Sequence, residues 1–204
     1  MRKIWALLAD WLTSRGDPWG ELITLRLAGE DALAIEHFDR HLDSLVGDMP
    51  GDDLDWCDGV VSRARLDGKG PALVKKLDTV LTHRTAARLD TLEVVSKTID
   101  AAFFELLSKK APPTLVWLNV IGAARGLERL ELPNLEQLRL ELNVEDVPGL
   151  LKAKLPGLRS LVLQTRKPLP ATFVEQLVAS PLFARLAHFE IDEDGPVGGT
   201  LNDA

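Results

Sequence analysis

Two histidines four positions apart, His37 and His41, fall on one face of any helix that contains them, the spacing by which helical ligands grip zinc. Phe38, Asp39 and Arg40 stand between them, so the pair lacks the glutamate of the His-Glu-x-x-His motif. A solvated helix face is the expectation, with a metal-dependent activity at this pair as the enzymatic alternative. Asp52, Asp53, Asp55 and Asp58 have the composition of a calcium loop, but a loop opening at Asp53 requires glycine where Asp58 stands and glutamate where Ala64 stands. A polar linker is expected instead. Cys57, the single cysteine, sits among these carboxylates, which raise a thiol's pKa and blunt its reactivity, and it is expected to be a small buried residue. Arg15-Gly16-Asp17 spells the tripeptide of integrin ligands, yet at a helix junction it has a structural explanation. Nucleophile elbow, phosphate loop and dinucleotide turn are all missing from the sequence, and Gly68-Lys69-Gly70 is too short to cradle phosphate. The expectation is a non-enzyme with no catalytic residue, metal or cofactor.

The chain that must position any site has 204 residues, 46% of them apolar and 27% charged, enough to bury about 70% of its unfolded surface without metal or disulfide. One cysteine excludes an internal disulfide and favours a reducing compartment. The opening Met1-Arg2-Lys3 and apolar run superficially resemble a secretion signal. Asp10 interrupts the run, no small-residue cleavage site follows, and Trp5, Leu8, Trp11 and Leu12 share a helical face. A docked amphipathic helix and a cytoplasmic location are expected, with no membrane span. Residues 1–60 hold 5 Lys and Arg against 13 Asp and Glu, while the remainder is nearly neutral, so the acidity belongs to the N-terminal third. A chain of pI 5.1 without a basic stripe repels phosphate, which argues against nucleic acid and for a basic protein partner.

Leucine supplies 38 residues, a bias that prompts a search for repeats. A Leu-x-x-Leu-x-Leu pattern, with other apolar residues substituting, fits segments that open at Val61, Leu89, Leu115, Leu135, Leu158 and Leu186, at spacings of 28, 26, 20, 23 and 28 residues. Between them, Val74, Leu77, Val80 and Leu81, and Phe173, Val174, Leu177 and Val178, fall at helical spacing. Pro112-Pro113, Pro133-Asn134, Pro156-Gly157, Pro168 and Pro181 mark corners. Residues 127–132 also fit the strand template but start only 8 residues before Leu135; a short irregular return is preferred to an additional narrow strand.

Residues 60–191 resemble the leucine-rich repeat superfamily in its ribonuclease-inhibitor-like form, although the asparagine usual after the core strand is mostly absent. The resemblance implies an α/β leucine-rich repeat solenoid, a parallel β-sheet with helical returns, over residues 60–192. Upstream, Ala9-Asp10-Trp11-Leu12, Arg15-Gly16-Asp17-Pro18 and Gly20-Glu21-Leu22-Ile23 resemble the helical repeat-companion domain that precedes such repeats in some bacterial proteins. That implies a bacterial source and an α-helical N-terminal cap over residues 1–59. Physically, Gly16 suits a left-handed helix end, Asp17 an N-cap and Pro18 the first turn of a second helix. Trp5, Trp11, Leu22, Leu25, Leu33, Phe38 and Leu42 would then cover the first strand, reached through an acidic loop between Asp48 and Asp58. Residues 193–204, polar and glycine-rich, read as a flexible tail.

In such a sheet the leucines point inward and the residues flanking each second leucine point out across a concave face. Those are Arg63, Arg65, Thr91, Glu93, Trp117, Asn119, Gln137, Arg139, Ser160, Val162, His188 and Glu190, with Glu141, Gln164 and Asp192 extending the rows. An exposed Trp117 amid arginines and carboxylates has the composition of an interaction hot spot. The expected function is a non-catalytic module that binds a protein partner through this face. The alternatives are an inhibitor or immunity-type protein for a basic enzyme and a structural subunit of an assembly. An open last strand at residues 186–191 would also permit self-association or strand addition.

Overall fold

The structure, a computed structural model, describes residues 2–47, 49, 54–57, 60–165 and 169–192. The expected tail at 193–204, most of the acidic loop and the corner at Pro168 lie outside the described residues.

Four helices open the chain: α1 (Arg2–Thr13), α2 (Pro18–Ala28), α3 (Asp31–Arg40) and α4 (Leu42–Val46). The corner between α1 and α2 follows from its residues. Gly16 takes φ 70°, the Asp17 side chain accepts from the Trp19 amide at 3.0 Å, and Pro18 occupies the first turn. Ala9, Leu12, Trp19, Leu22, Ile23, Ala34 and Leu45 form a small core of their own, with Trp5, Leu8, Leu25 and Phe38 packed against it. Trp11, Leu33 and Leu42 do not join it. They are 52%, 50% and 44% exposed, contrary to the expectation that they cover the first strand, because the inner stripe of these short helices is already filled by their neighbours.

A seven-stranded sheet follows, its strands side by side in chain order: β1 (Leu54–Cys57), β2 (Val60–Asp67), β3 (Thr91–Ile99), β4 (Trp117–Ala124), β5 (Gln137–Glu141), β6 (Ser160–Gln164) and β7 (His188–Asp192). From β2 onward all pairs are parallel. β1 is a correction to the sequence reading, which expected only an acidic loop here: it runs antiparallel to β2 with Leu54 opposite Ala64 and Cys57 opposite Val60. Leu54 and Trp56 turn toward the core while Asp55 and Cys57 are exposed, the period-2 alternation that proximity to four aspartates disguised. Cys57 is therefore exposed and not buried as expected.

Parallel strands require crossovers, and these are α5 (Gly70–Thr82), α6 (Ala101–Lys110), α7 (Val147–Lys152) and α8 (Ala171–Val178), with short 3₁₀ turns at Arg84–Arg88, Leu127–Arg129, Val144–Asp146 and Phe183–Arg185. Asp100 caps α6 by accepting from the Phe103 amide at 3.2 Å, and Lys109 and Lys110 close its last turn. Leu73, Leu77, Phe103, Phe104, Leu107, Leu150, Phe173 and Leu177 from these helices share one core with alternate strand residues, so the helices lie on one face of the sheet. In that core Ala64, Leu92, Leu118, Leu138, Leu161 and Phe189 stand in register across six strands, followed by Leu66, Val94, Val120, Leu140 and Leu163, with the half-buried Ile191 in register at the edge. Just before the strands the same hydrogen bond recurs. The Asp90 carbonyl accepts from the Val116 and Trp117 amides, Val116 from Glu136 and Gln137, Glu136 from Arg159 and Ser160, and Arg159 from Ala187 and His188, all at 2.7–3.0 Å.

Residues 127–132 form a 3₁₀ turn and an isolated bridge from Glu131 to Lys154, burying Leu127, Leu130 and Leu132 beside α6 and α7. That is the irregular return and not an eighth strand. Between Val95 and Thr98, β3 bulges against β4. Gly122 faces the bulge at φ 122°, where a Cβ would stand 1.6 Å from the Ser96 carbonyl oxygen; only glycine fits.

Candidate functional site

The sheet face opposite the helices is built by the alternation that sends the leucines inward. Two rows run across it in register: Arg63, Thr91, Trp117, Gln137, Ser160 and His188, then Arg65, Glu93, Asn119, Arg139, Val162 and Glu190. A third, shorter row aligns Glu141, Gln164 and Asp192. All the residues expected on this face are thus brought together, on strands and not on loops.

Their depth differs from the sequence expectation. Glu93, Asn119 and Glu141 are only 8%, 7% and 5% exposed, and Trp117 is half-buried where full exposure was expected. No described helix lies on this side, and among the described residues side chains of the face itself cover one another. Arg63 Nη2 donates to Glu93 Oε2 at 3.3 Å, and Arg65 Nη1 lies 3.4 Å from Glu93 Oε1, so two guanidinium groups from β2 clamp one carboxylate on β3. The same arginines reach Asp55 on β1 at 3.8 Å and Asp67 on β2 at 3.6 Å. At the other end Arg139 on β5 reaches past β6 to Asp192 on β7 at 3.8 Å, and Gln164 Nε2 donates to the same carboxylate at 3.3 Å. His188 Nε2 lies 3.4 Å from Glu190 Oε2. Between these clusters, Asn119 Oδ1 on β4 is buried without a hydrogen-bond partner.

His37 and His41 do meet, ring centroids 4.6 Å apart, but not on a solvated face. His37 is 4% exposed because Nε2 donates to the Pro18 carbonyl at 2.8 Å, an oxygen that can only accept. That bond ties α3 to the start of α2 and occupies one of the two ring nitrogens that can bind a metal. Nδ1 faces Glu21 at 3.6 Å. Among the described residues no three His, Cys, Asp or Glu side chains converge on a metal position. An open cleft of about 220 Å³ lies at the C-terminal end of β4, between Arg125, Gly126, Glu128, Glu145, Asp146 and Gly149. No described helix is long and apolar enough to cross a membrane.

Nothing in the residue spacing pointed to the joint at Arg84–Arg88. Arg84 pairs bidentately with Asp17, its guanidinium lying over the Trp19 ring at 5.3 Å, and Arg88 lies over Trp5 at 5.6 Å. Asp17, the last residue of Arg15-Gly16-Asp17, is thus committed to holding the helical segment on the sheet. Burial opposes ionisation of its carboxyl, but the bonds from Arg84 and the Trp19 amide, with the Arg84 charge, hold it below the ordinary aspartate value. Burial, aided by the Arg84 charge, lowers the His83 pKa.

No family model matches this chain, and neither the curated proteins nor the solved structures contain a significant match. The chain is defined by its own geometry: an α/β protein with a mostly parallel, sequentially ordered sheet, helices on one face and, on the other, a charged face that no described helix covers.

Proposed function

We propose that residues 60–192 form a leucine-rich repeat solenoid, that residues 1–59 cap it, and that the whole acts as a non-catalytic module binding a protein partner through the helix-free sheet face. The observation that carries this reading is the register of the face. Trp117 is held on a rigid strand with charged side chains in the adjacent rows, so a partner is met without the cost of ordering a loop. Regular alignment of one apolar residue per strand, with a crossover between successive strands, supports the repeat reading. The small helical core abutting Val60 supports the cap. A cytoplasmic location fits the unpaired, exposed cysteine.

Replacing Trp117 by alanine together with Arg139 by glutamate tests the face. Affinity capture by the wild-type chain should retain a partner that the double variant loses, at unchanged helix and strand content. A partner retained by both rejects the face. A second contact is proposed at β7, which pairs with β6 on one side and has no described strand on the other. Self-association there predicts a concentration-dependent mass that proline at Phe189 abolishes.

A further inference from the structure

We infer that the helical segment is a self-association surface, on which the outward stripe of α1 packs against α3 and α4 of a second copy of this chain. The contact is separate from the sheet face and from β7, and stands without either.

Among the described residues every large exposed apolar side chain except Val178 lies in the four opening helices. α1 has two apolar sides. Ala9 and Leu12 are buried in the helical core, whereas Ile4, Leu7 and Trp11, at i, i+3 and i+7, line up on the outside at 71%, 70% and 52% exposure. A scattered exposed leucine needs no account, but an aligned stripe of three large residues marks a contact surface.

The charges indicate what it contacts. Asp10 is the only acid of α1, and the basic Lys3 and Arg15 stand at either end of the stripe. Neither has a carboxylate partner among the described residues; the Arg15 guanidinium lies over the Trp11 ring at 4.1 Å. α3 and α4 present the opposite sign. Ile35 and Leu42 are 54% and 44% exposed, and Glu30, Asp39 and Asp43 around them in sequence are exposed carboxylates without a cation partner among the described residues. The cation on α3 is already taken, since Arg40 pairs with Glu36 at 2.6 Å.

An apolar stripe with basic ends and an apolar surface with free acids are complementary, and one chain carries both. Joined across two copies, each supplies what the other lacks, and a two-fold pair makes the contact twice. An anionic lipid surface fits less well, because residues 1–60 hold 13 acids against 5 bases.

Carbodiimide cross-linking of the full chain, mixed in equal parts from unlabelled and isotopically labelled stocks, reads the contact directly. Peptide pairs of mixed isotope should join Lys3 of one copy to Glu30, Asp39 or Asp43 of another. Ile4→Ser with Leu7→Ser should lower their yield at least tenfold at unchanged circular dichroism, because both side chains face away from the helical core. Charge reversal supplies a second arm: Lys3→Glu with Arg15→Glu on one surface, and Glu30→Lys with Asp39→Lys and Asp43→Lys on the other. Neither variant should associate alone, while an equal mixture of the two should cross-link position 3 to positions 30, 39 or 43 at the wild-type yield. Phe189→Pro, which acts at β7, should leave the wild-type yield unchanged. The inference is overturned by absence of mixed-isotope pairs from the wild type, or by pairs undiminished in Ile4→Ser with Leu7→Ser. It is equally overturned by pairs lost in Phe189→Pro, or by no cross-linking between charge variants that both keep the wild-type circular dichroism.

Discussion

Asp17 does three things with one carboxylate: it caps α2, anchors Arg84 and fixes how the helical segment meets the sheet. Asp17→Ala should cost about 1 kcal/mol for the cap alone, and more through the stranded Arg84, measured by urea denaturation. The pH dependence has a definite sign. Because the folded pKa of Asp17 lies below its unfolded value, the folded state holds fewer protons, so this stabilisation is complete above about pH 4 and disappears as pH falls through the lowered value. His83 adds in the same direction. Its folded pKa is depressed from 6.5, the unfolded chain takes the proton first, and stability declines as pH drops below 6.5. Asp17→Asn should flatten the acid limb below pH 4 and leave the shallow decline below 6.5, which His83→Gln should remove; a steep acid limb retained by Asp17→Asn contradicts the assignment. The cap was legible in Asp17-Pro18, whose local chemistry lies within three residues. Arg84 was not, because a partner 67 positions away leaves no trace in spacing.

Strands and crossovers follow the apolar pattern because each strand must bury the same face against the helices, and one apolar side chain per strand, aligned in register, does that at every step. Leu118→Ala, at 0% exposure in the middle of that file, should destabilise by about 2–5 kcal/mol, read as a shift in the denaturation midpoint. Gly122→Ala should cost at least about 2 kcal/mol although it adds only a methyl group, since the β3 bulge leaves no room at Ser96 and φ 122° disfavours any side chain. A midpoint unchanged by Gly122→Ala would mean that the bulge is not held there. Patterning revealed which side of a strand faces the helices but not how deep the other side lies. Glu93 and Asn119 occupy outward positions and are nonetheless buried, because side chains of the helix-free face cover one another, an effect of neighbours 20 or more residues away in sequence. The same limit explains β1: Leu54 and Trp56 are inward positions of a strand, yet their alternation with aspartate and cysteine reads as polar loop composition. Residues 127–132 show the converse, a strand-like pattern spent on a turn, since Leu127, Leu130 and Leu132 are buried by helices as effectively as by a sheet.

Two apolar clusters share the molecule, and whether they melt together depends on what crosses between them. Val46 packs against both, Val60 of β2 belongs to the helical cluster, and the Phe38 ring lies 5.2 Å from that of Trp56 on β1. Arg84 and Arg88 add polar ties from the first crossover to Asp17, Trp19 and Trp5. These links join the helical segment to β1, β2 and the turn before β3, the end of the sheet where nearest-neighbour coupling can pass any disturbance to the rest. Unfolding should accordingly be one transition: tryptophan fluorescence, weighted to the helices by Trp5, Trp11 and Trp19, should coincide with far-ultraviolet circular dichroism of the whole chain. Arg84→Ala with Arg88→Ala cuts the polar ties and leaves the apolar contacts, so the two probes should separate at the low-denaturant end while the second midpoint barely moves. If the wild-type probes already separate, the helical segment folds independently. The acidic N-terminal third would then be a separate unit and not the end-piece that seals the first strands of the sheet.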